Sequence, residues 1–105
     1  MIQQSMSNIQ FNYLFRDTDN YKIYGSEVFS NEKDFSISVI QERIRSKLID
    51  GQYFYPSQWG LPLLYSEDGW GMEETDWCEY EGVEETDEDD TRCDVSLWIE
   101  TIFHE

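Results

Sequence analysis

"IQFNYLFRDTDNYKIYGSEVFS", Ile9 to Ser30, is the stretch that decides the fold. Ile9, Phe11, Tyr13 and Phe15 share one face of an alternating pattern, and Gln10, Asn12 and Arg16 share the other with Leu14. A period of two is the signature of a strand. "DTDN" supplies Asp and Asn, which favour tight reversals, and "YKIYGSEVFS" reads as the return strand of a hairpin. Gly25 in its middle predicts a bulge or a close approach of backbone.

After the hairpin the period changes. In "FSISVIQERIRSKLIDG", Ile37, Ile40, Ile44 and Leu48 recur at spacings of three and four, which predicts an amphipathic helix. Ser36 is its expected N-cap, and Phe35 before it is placed to staple onto Ile40. Arg43, Arg45 and Lys47 fall in the second half, where cations complement the dipole, and Gly51 is the expected stop. These three are among only seven Lys and Arg in the chain. They are expected on a solvated face, some of them answering acid elsewhere in the fold.

Residues 52–71, with both prolines and three glycines, read as a loop-rich crossing with a short strand at Leu63–Ser66. Residues 74–84, "ETDWCEYEGVE", read as a strand with Trp77 on one side and Cys78 and Tyr80 on the other; "EETDEDD" reads as a polar loop. The chain closes on a helix whose stripe is Val95, Trp98, Ile99, Ile102 and Phe103, with Thr91 and Asp94 resembling a capping box. The expected architecture is α+β: one small two-layer domain over residues 9–105, following an N-terminal extension at 1–8, with about two helices on one face of an antiparallel sheet. At 105 residues and 16% aromatic, the chain has material for one modest core.

The charge is distributed unevenly. The formal net charge is −16, of which residues 1–65 carry −1 and residues 66–105 carry −15. Between Glu73 and Asp94 lie twelve carboxylates and a single Arg, interleaved with Trp77, Tyr80 and Val83. A disordered acidic tail has few aromatics, so this run is expected to be folded. Its field repels nucleic-acid phosphates and anionic lipid and attracts basic protein surfaces. Direct nucleic-acid and membrane partners are therefore not expected. The opening "MIQQSMSN" lacks the features of a signal peptide, so a cytoplasmic setting with reduced Cys78 and Cys93 is expected. An oxidised pair would close a loop worth roughly 3 kcal/mol.

Catalytic and metal chemistries find little support. His104 is the single histidine and lies beside the C-terminus, a poor place for a general base. The cysteines sit among anions, which oppose thiolate formation. An EF-hand loop counted from Asp87 would need Gly and Glu where Arg92 and Trp98 stand. Cys78, Cys93 and His104 lack the paired spacing of a zinc site, and no Gly-rich phosphate loop occurs. No catalytic residue, metal or cofactor is assigned. A folded carboxylate array can instead imitate phosphate spacing and receive Arg and Lys through charge-assisted hydrogen bonds.

The sequence therefore points to a non-enzymatic, acidic inhibitor that docks on a basic protein, in one of two forms. One is an immunity protein holding a toxin nuclease; the other is a nucleic-acid mimic blocking a nucleic-acid-acting enzyme. The candidate contacts are Glu73, Glu74, Asp76, Glu79, Glu81, Glu84, Glu85, Asp87, Glu88, Asp89 and Asp90, with Trp70 and Trp77 as anchors and Tyr80 as a further aromatic. Two alternatives stand beside it. One is a non-catalytic accessory subunit of a larger complex. The other is a carbohydrate-binding or hydrolytic protein using Trp59, Trp70 and paired carboxylates.

"IQFNYLFRDTDNYKIYG" followed by "IQERIRSKLIDGQYFYPSQWGLP" resembles a group of small, acidic, uncharacterised bacterial proteins, over about residues 9–63, with a looser echo in "EYEGVEET". The resemblance implies a bacterial cytoplasmic setting and carries no activity and no functional residues.

Overall fold

A computed structural model describes residues 7–103. It contains β1 (Asn8–Arg16), β2 (Lys22–Phe29), α1 (Ile37–Arg45), β3 (Tyr53–Phe54), a 3₁₀ turn at Pro56–Gln58, β4 (Cys78–Thr86) and α2 (Val95–Phe103). The four strands form one antiparallel sheet in the order β2-β1-β4-β3, and the fold is α+β as expected. β1 takes in Asn8, one residue before the expected start of the domain. Residues 1–6 of the extension, and His104, lie outside the described residues.

Alternation along β1 sends Ile9, Phe11 and Tyr13 into the core, where they meet Ile40 and Ile44 of α1 and Val95, Trp98, Ile99 and Ile102 of α2. Phe11 is the hub. Its ring lies 5.0 Å from Trp98, 5.5 Å from Phe54 and 5.7 Å from Tyr80, centroid to centroid. Trp98 stacks on Phe29 at 4.3 Å and donates its indole N–H to the Trp59 carbonyl at 2.8 Å, so its one polar atom is satisfied inside the core.

Gly25 keeps regular register with Tyr13, and a Cβ there would lie 2.4 Å from Leu64 Cδ2. Of the two expectations for this glycine, close approach is the one realised. The bulge is on β4: Asn12 pairs with Gly82 and Tyr13 with Tyr80, which leaves Glu81 as the extra residue. Gly82 there adopts a φ of 138°.

Both helix ends differ in detail from the sequence expectation. Ser36 caps α1 as expected, accepting from the Val39 N–H. The helix stops at Arg45, however, six residues before Gly51. Asp50 and Gly51, both at positive φ, instead form the tight turn that pairs Ile49 with Tyr53 and leads into β3. The cap of α2 is Asp94 rather than Thr91, since Asp94 Oδ2 accepts from the Ser96 N–H at 3.0 Å. Asp94 Oδ1 accepts from the Ser30 hydroxyl and the Glu32 N–H, tying α2 to the end of β2. Backbone bonds from Ser30 N to the Cys93 carbonyl and from Val95 N to the Ser30 carbonyl complete the junction. Burial alone would raise the Asp94 carboxyl; the hydrogen bonds from Ser96, Glu32 and Ser30 together hold it below the usual carboxylate range.

Three further expectations are corrected. Leu63–Ser66 is not a strand: only Tyr65 bridges, to Gly71, closing a small loop. The strand expected at 74–84 runs from Cys78 to Thr86 instead, so Trp77 precedes it, and Glu85 and Thr86 extend β4 rather than belonging to the acidic loop. Phe103 leaves the apolar stripe of α2 and is exposed, with Lys47 Nζ 5.1 Å from its ring centroid. Cys78 is buried at the start of β4 and Cys93 is exposed beside Ser30, so the two thiols sit at opposite ends of the sheet and both are free. No helix among the described residues is long and apolar enough to cross a membrane.

Candidate functional site

The helices cover one face of the sheet and leave the other open. On that open face β1 presents Gln10, Asn12, Leu14 and Arg16, and β4 presents Glu79 and Glu84. Register puts Tyr24 and Glu79 on either side of Leu14, and Tyr53 beside Glu79. These neighbours explain how Leu14 is buried although it lies outside the core cluster. Continuing the β3–β4 register by one residue sets Tyr55 opposite Trp77, and continuing the β1–β4 register by two sets Arg16 on its other side.

Trp77 thus stands at the end of the sheet, 54% exposed, between two depressions. One, of about 330 Å³, is lined by Ile49, Asp50, Tyr53, Tyr55 and Trp77. The other, of about 280 Å³, is lined by Phe15, Arg16, Asp17, Thr18, Asp76 and Trp77. The chain on either side of Trp77 is tied down. Asp76 Oδ2 accepts the Glu73 N–H at 2.8 Å, and the Asp76 N–H returns to the Glu73 carbonyl at 2.9 Å, closing the turn just before it. After it, Glu79 takes two hydrogen bonds from Arg16. The Arg16 guanidinium holds the Glu79 carboxyl below its ordinary range, against the smaller opposing effect of burial.

Trp70 occupies the other side of the β1–β2 turn, edge-on to Tyr21 at 6.4 Å. Its loop is pinned by the Ser66 N–H to the Trp70 carbonyl at 2.8 Å. The turn between the tryptophans is itself fixed: Asp17 Oδ1 accepts from the N–H groups of Asp19 and Tyr21, and Arg16 reaches Asn20 Oδ1 at 2.6 Å. Both sequence-chosen tryptophan anchors therefore lie at the same end of the sheet, on backbone tied down by hydrogen bonds.

The acidic candidates divide into two groups. Glu73, Glu74, Asp76 and Glu79 lie at the Trp77 end. Glu84, Glu85, Asp87, Glu88, Asp89 and Asp90 lie at the far end of β4, where Thr86 pairs with Asn8, roughly 30 Å away at ~3.3 Å per residue. Glu81 sits between them at the bulge. Glu84 is partly engaged, accepting from the side-chain amides of Gln10 and Asn12 at 3.1 Å each. The ion pairs among the described residues are Arg16–Glu79 and Arg92–Glu27. The cations of α1 therefore do not answer the C-terminal acid by ion pairing among the described residues.

Two aromatic candidates leave the surface. Trp59 is buried, stacked on Phe54 at 4.6 Å, and lines neither depression beside Trp77. Tyr80 packs half-buried against the core beside Phe11. Sequence reasoning missed Tyr53, Tyr55, Ile49 and Asp50. Their signal was the "YFY" triplet: with Phe54 inward, period two sends both tyrosines to the open face, where Trp77 also lies. Among the described residues no three of His, Cys, Asp or Glu converge in a way that could hold a metal ion. Comparison with protein-family models, curated proteins and solved structures gave no match, so no relative lends this surface a role.

Proposed function

We propose that this chain is an acidic binding protein that docks on a basic, nucleic-acid-acting protein and blocks it, as an immunity protein or a nucleic-acid mimic does. The observation that carries the reading is the placement of Trp70 and Trp77 on hydrogen-bonded turns at one end of a strongly anionic fold. Exposed tryptophans on a rigid backbone supply what bare charge lacks, namely contact area that loses water on docking and little entropy when fixed. The −15 carried by residues 66–105 supplies attraction and orientation for a cationic partner. Glu81, Glu84 and the Glu85–Asp90 segment extend the anionic surface along β4 and would broaden such a footprint.

The test is capture from a bacterial lysate at low salt, followed by titration calorimetry with the purified partner. Reversal of Glu84, Glu85, Asp87 and Asp89 should slow association and flatten its salt dependence. Replacement of Trp70 and Trp77 by Ala should speed dissociation. Unchanged binding by both variants would end this reading.

One observation favours a second reading, an accessory subunit held by apolar contacts. Leu97 and Phe103 of α2 are exposed and, with Glu100 and Thr101, line a depression of about 600 Å³ on the opposite layer. Docking there should be insensitive to salt, whereas docking through the anionic surface should weaken steeply as salt rises. The carbohydrate reading loses Trp59, one of the two tryptophans it relied on.

A further inference from the structure

The depression beside Trp77 has walls that suit one kind of ligand. The Tyr53 ring stands 6.5 Å from the Trp77 ring at 66°, and the Tyr55 ring 6.3 Å from it at 88°. Each tyrosine ring thus stands steeply to the indole rather than parallel to it. Asp50 lines the same depression, and Ile49 supplies an apolar side. Parallel rings favour a flat guanidinium inserted between them. Rings near right angles present several negative π-faces to one point, which favours a compact, rounded cation. A carboxylate at the rim adds Coulomb attraction where the ring faces alone would also accept a neutral apolar group.

We propose that Tyr53, Tyr55, Trp77 and Asp50 form a cage for an aliphatic ammonium group, the side chain of a lysine presented by a basic protein, with Nε-methylated lysine the better fit. Methylation spreads the positive charge over apolar surface and removes N–H donors that the ring faces cannot satisfy, so the methylated form loses less on leaving water. This deepens the docking reading above and rests on it for the source of the lysine, while the cage itself can be tested without any partner.

The cage is assembled from elements with independent supports. Tyr53 is in β3, whose ladder to β4 fixes it opposite Glu79. Trp77 follows the Glu73–Asp76 turn. Asp50 sits at φ 55° in the turn between Ile49 and Tyr53, a conformation that Asn also tolerates. An Asp50→Asn variant therefore removes the charge and keeps the backbone.

The experiment is a nuclear magnetic resonance titration of the full chain with three capped amino acids: lysine, Nε-trimethyl-lysine, and the neutral analogue in which a tert-butyl group replaces trimethylammonium. Trp77→Phe assigns the indole N–H signal. Trimethyl-lysine should shift the Trp77 indole and the Tyr53 and Tyr55 amides saturably, with unmodified lysine weaker and the neutral analogue weaker by about tenfold. Trp77→Ala should abolish the shifts while the buried Trp59 and Trp98 indole signals stay in place, reporting an intact core. Asp50→Asn should weaken binding about threefold. Equal binding of the neutral analogue, or shifts that survive Trp77→Ala, would overturn the cage. If the ammonium compounds fail to bind while a captured basic partner still binds with steep salt dependence, the cage falls and the docking function stands. If they bind but no basic partner is engaged, the cage stands and the docking function falls.

Discussion

The Arg16 guanidinium holds the Glu79 carboxylate through Nε at 2.7 Å and Nη2 at 3.0 Å, a two-pronged grip across β1 and β4 on the open face of the sheet. It removes one acidic side chain from the set free to meet a partner. It also braces the strand end that carries Trp77. Arg16→Ala should lower stability modestly, because an ion pair this exposed is screened by water and salt. The larger effect should be on Trp77: its fluorescence should become more mobile in anisotropy decay. Arg16→Lys should restore less than full order, since an ammonium cannot make the paired contact.

The pH dependence of stability should carry the marks of Asp94 and Glu79. Both carboxyls are held below their ordinary range in the folded chain. A depressed folded value means that the contribution is fully present above the ordinary carboxylate value and is lost as pH falls through the folded value. Urea unfolding should show a loss of stability on acidification below about pH 4. Asp94→Asn should reduce that slope. Asp94→Ala should also cost about 1–2 kcal/mol at neutral pH, because it removes the cap of α2 and the tie to Ser30 and Glu32 together.

Two glycines should respond very differently to alanine. At Gly25 the new Cβ would meet the end of the Leu64 side chain, which can swing away. At Gly71 it would lie 2.5 Å from the Leu64 carbonyl oxygen and 2.8 Å from the Tyr65 Cα, backbone that cannot yield without opening the Leu64–Met72 loop. Gly25→Ala should cost under about 1 kcal/mol and Gly71→Ala about 1–3 kcal/mol. Gly71→Ala should also displace Trp70, visible at its indole N–H.

The two thiols should separate cleanly in labelling. Burial, with the charges of Asp76 and Glu79, pushes the Cys78 thiol up to about 12, while Cys93 is exposed. A thiol reagent at neutral pH should modify one cysteine rapidly and the second only with global unfolding. Fast modification of both would show that β4 opens locally at its first residue.

Much of this fold could be read along the chain. The hairpin Ile9–Ser30 and α1 announce themselves by apolar spacing because each buries a single face. The rest depended on contacts between distant segments. Asp94 outcompetes Thr91 as cap because Ser30 and the Glu32 N–H, sixty-four and sixty-two residues away, converge on its second oxygen. The end of β4 at Glu85 and Thr86 hides as strand because its acidic composition masks its pairing with Ile9 and Asn8. Nothing local distinguishes Trp59 from Trp77. One is buried because Trp98 and Phe54 reach it, and the other is exposed because the open face of the sheet has no helix over it. Composition marks the acidic docking candidates by charge density and does not reveal that β4 spreads the acid over two ends.

The most direct test is to map a captured basic partner onto this chain by amide and indole chemical shifts. The indoles of Trp70 and Trp77 should shift or broaden, with the amides of Asp50, Tyr53, Tyr55 and Asp76, and the effect should fade as salt is raised. Shifts confined to the Leu97–Phe103 side of α2 and indifferent to salt, with both exposed indoles unmoved, would contradict the claim that the tryptophan end of the sheet is the docking face.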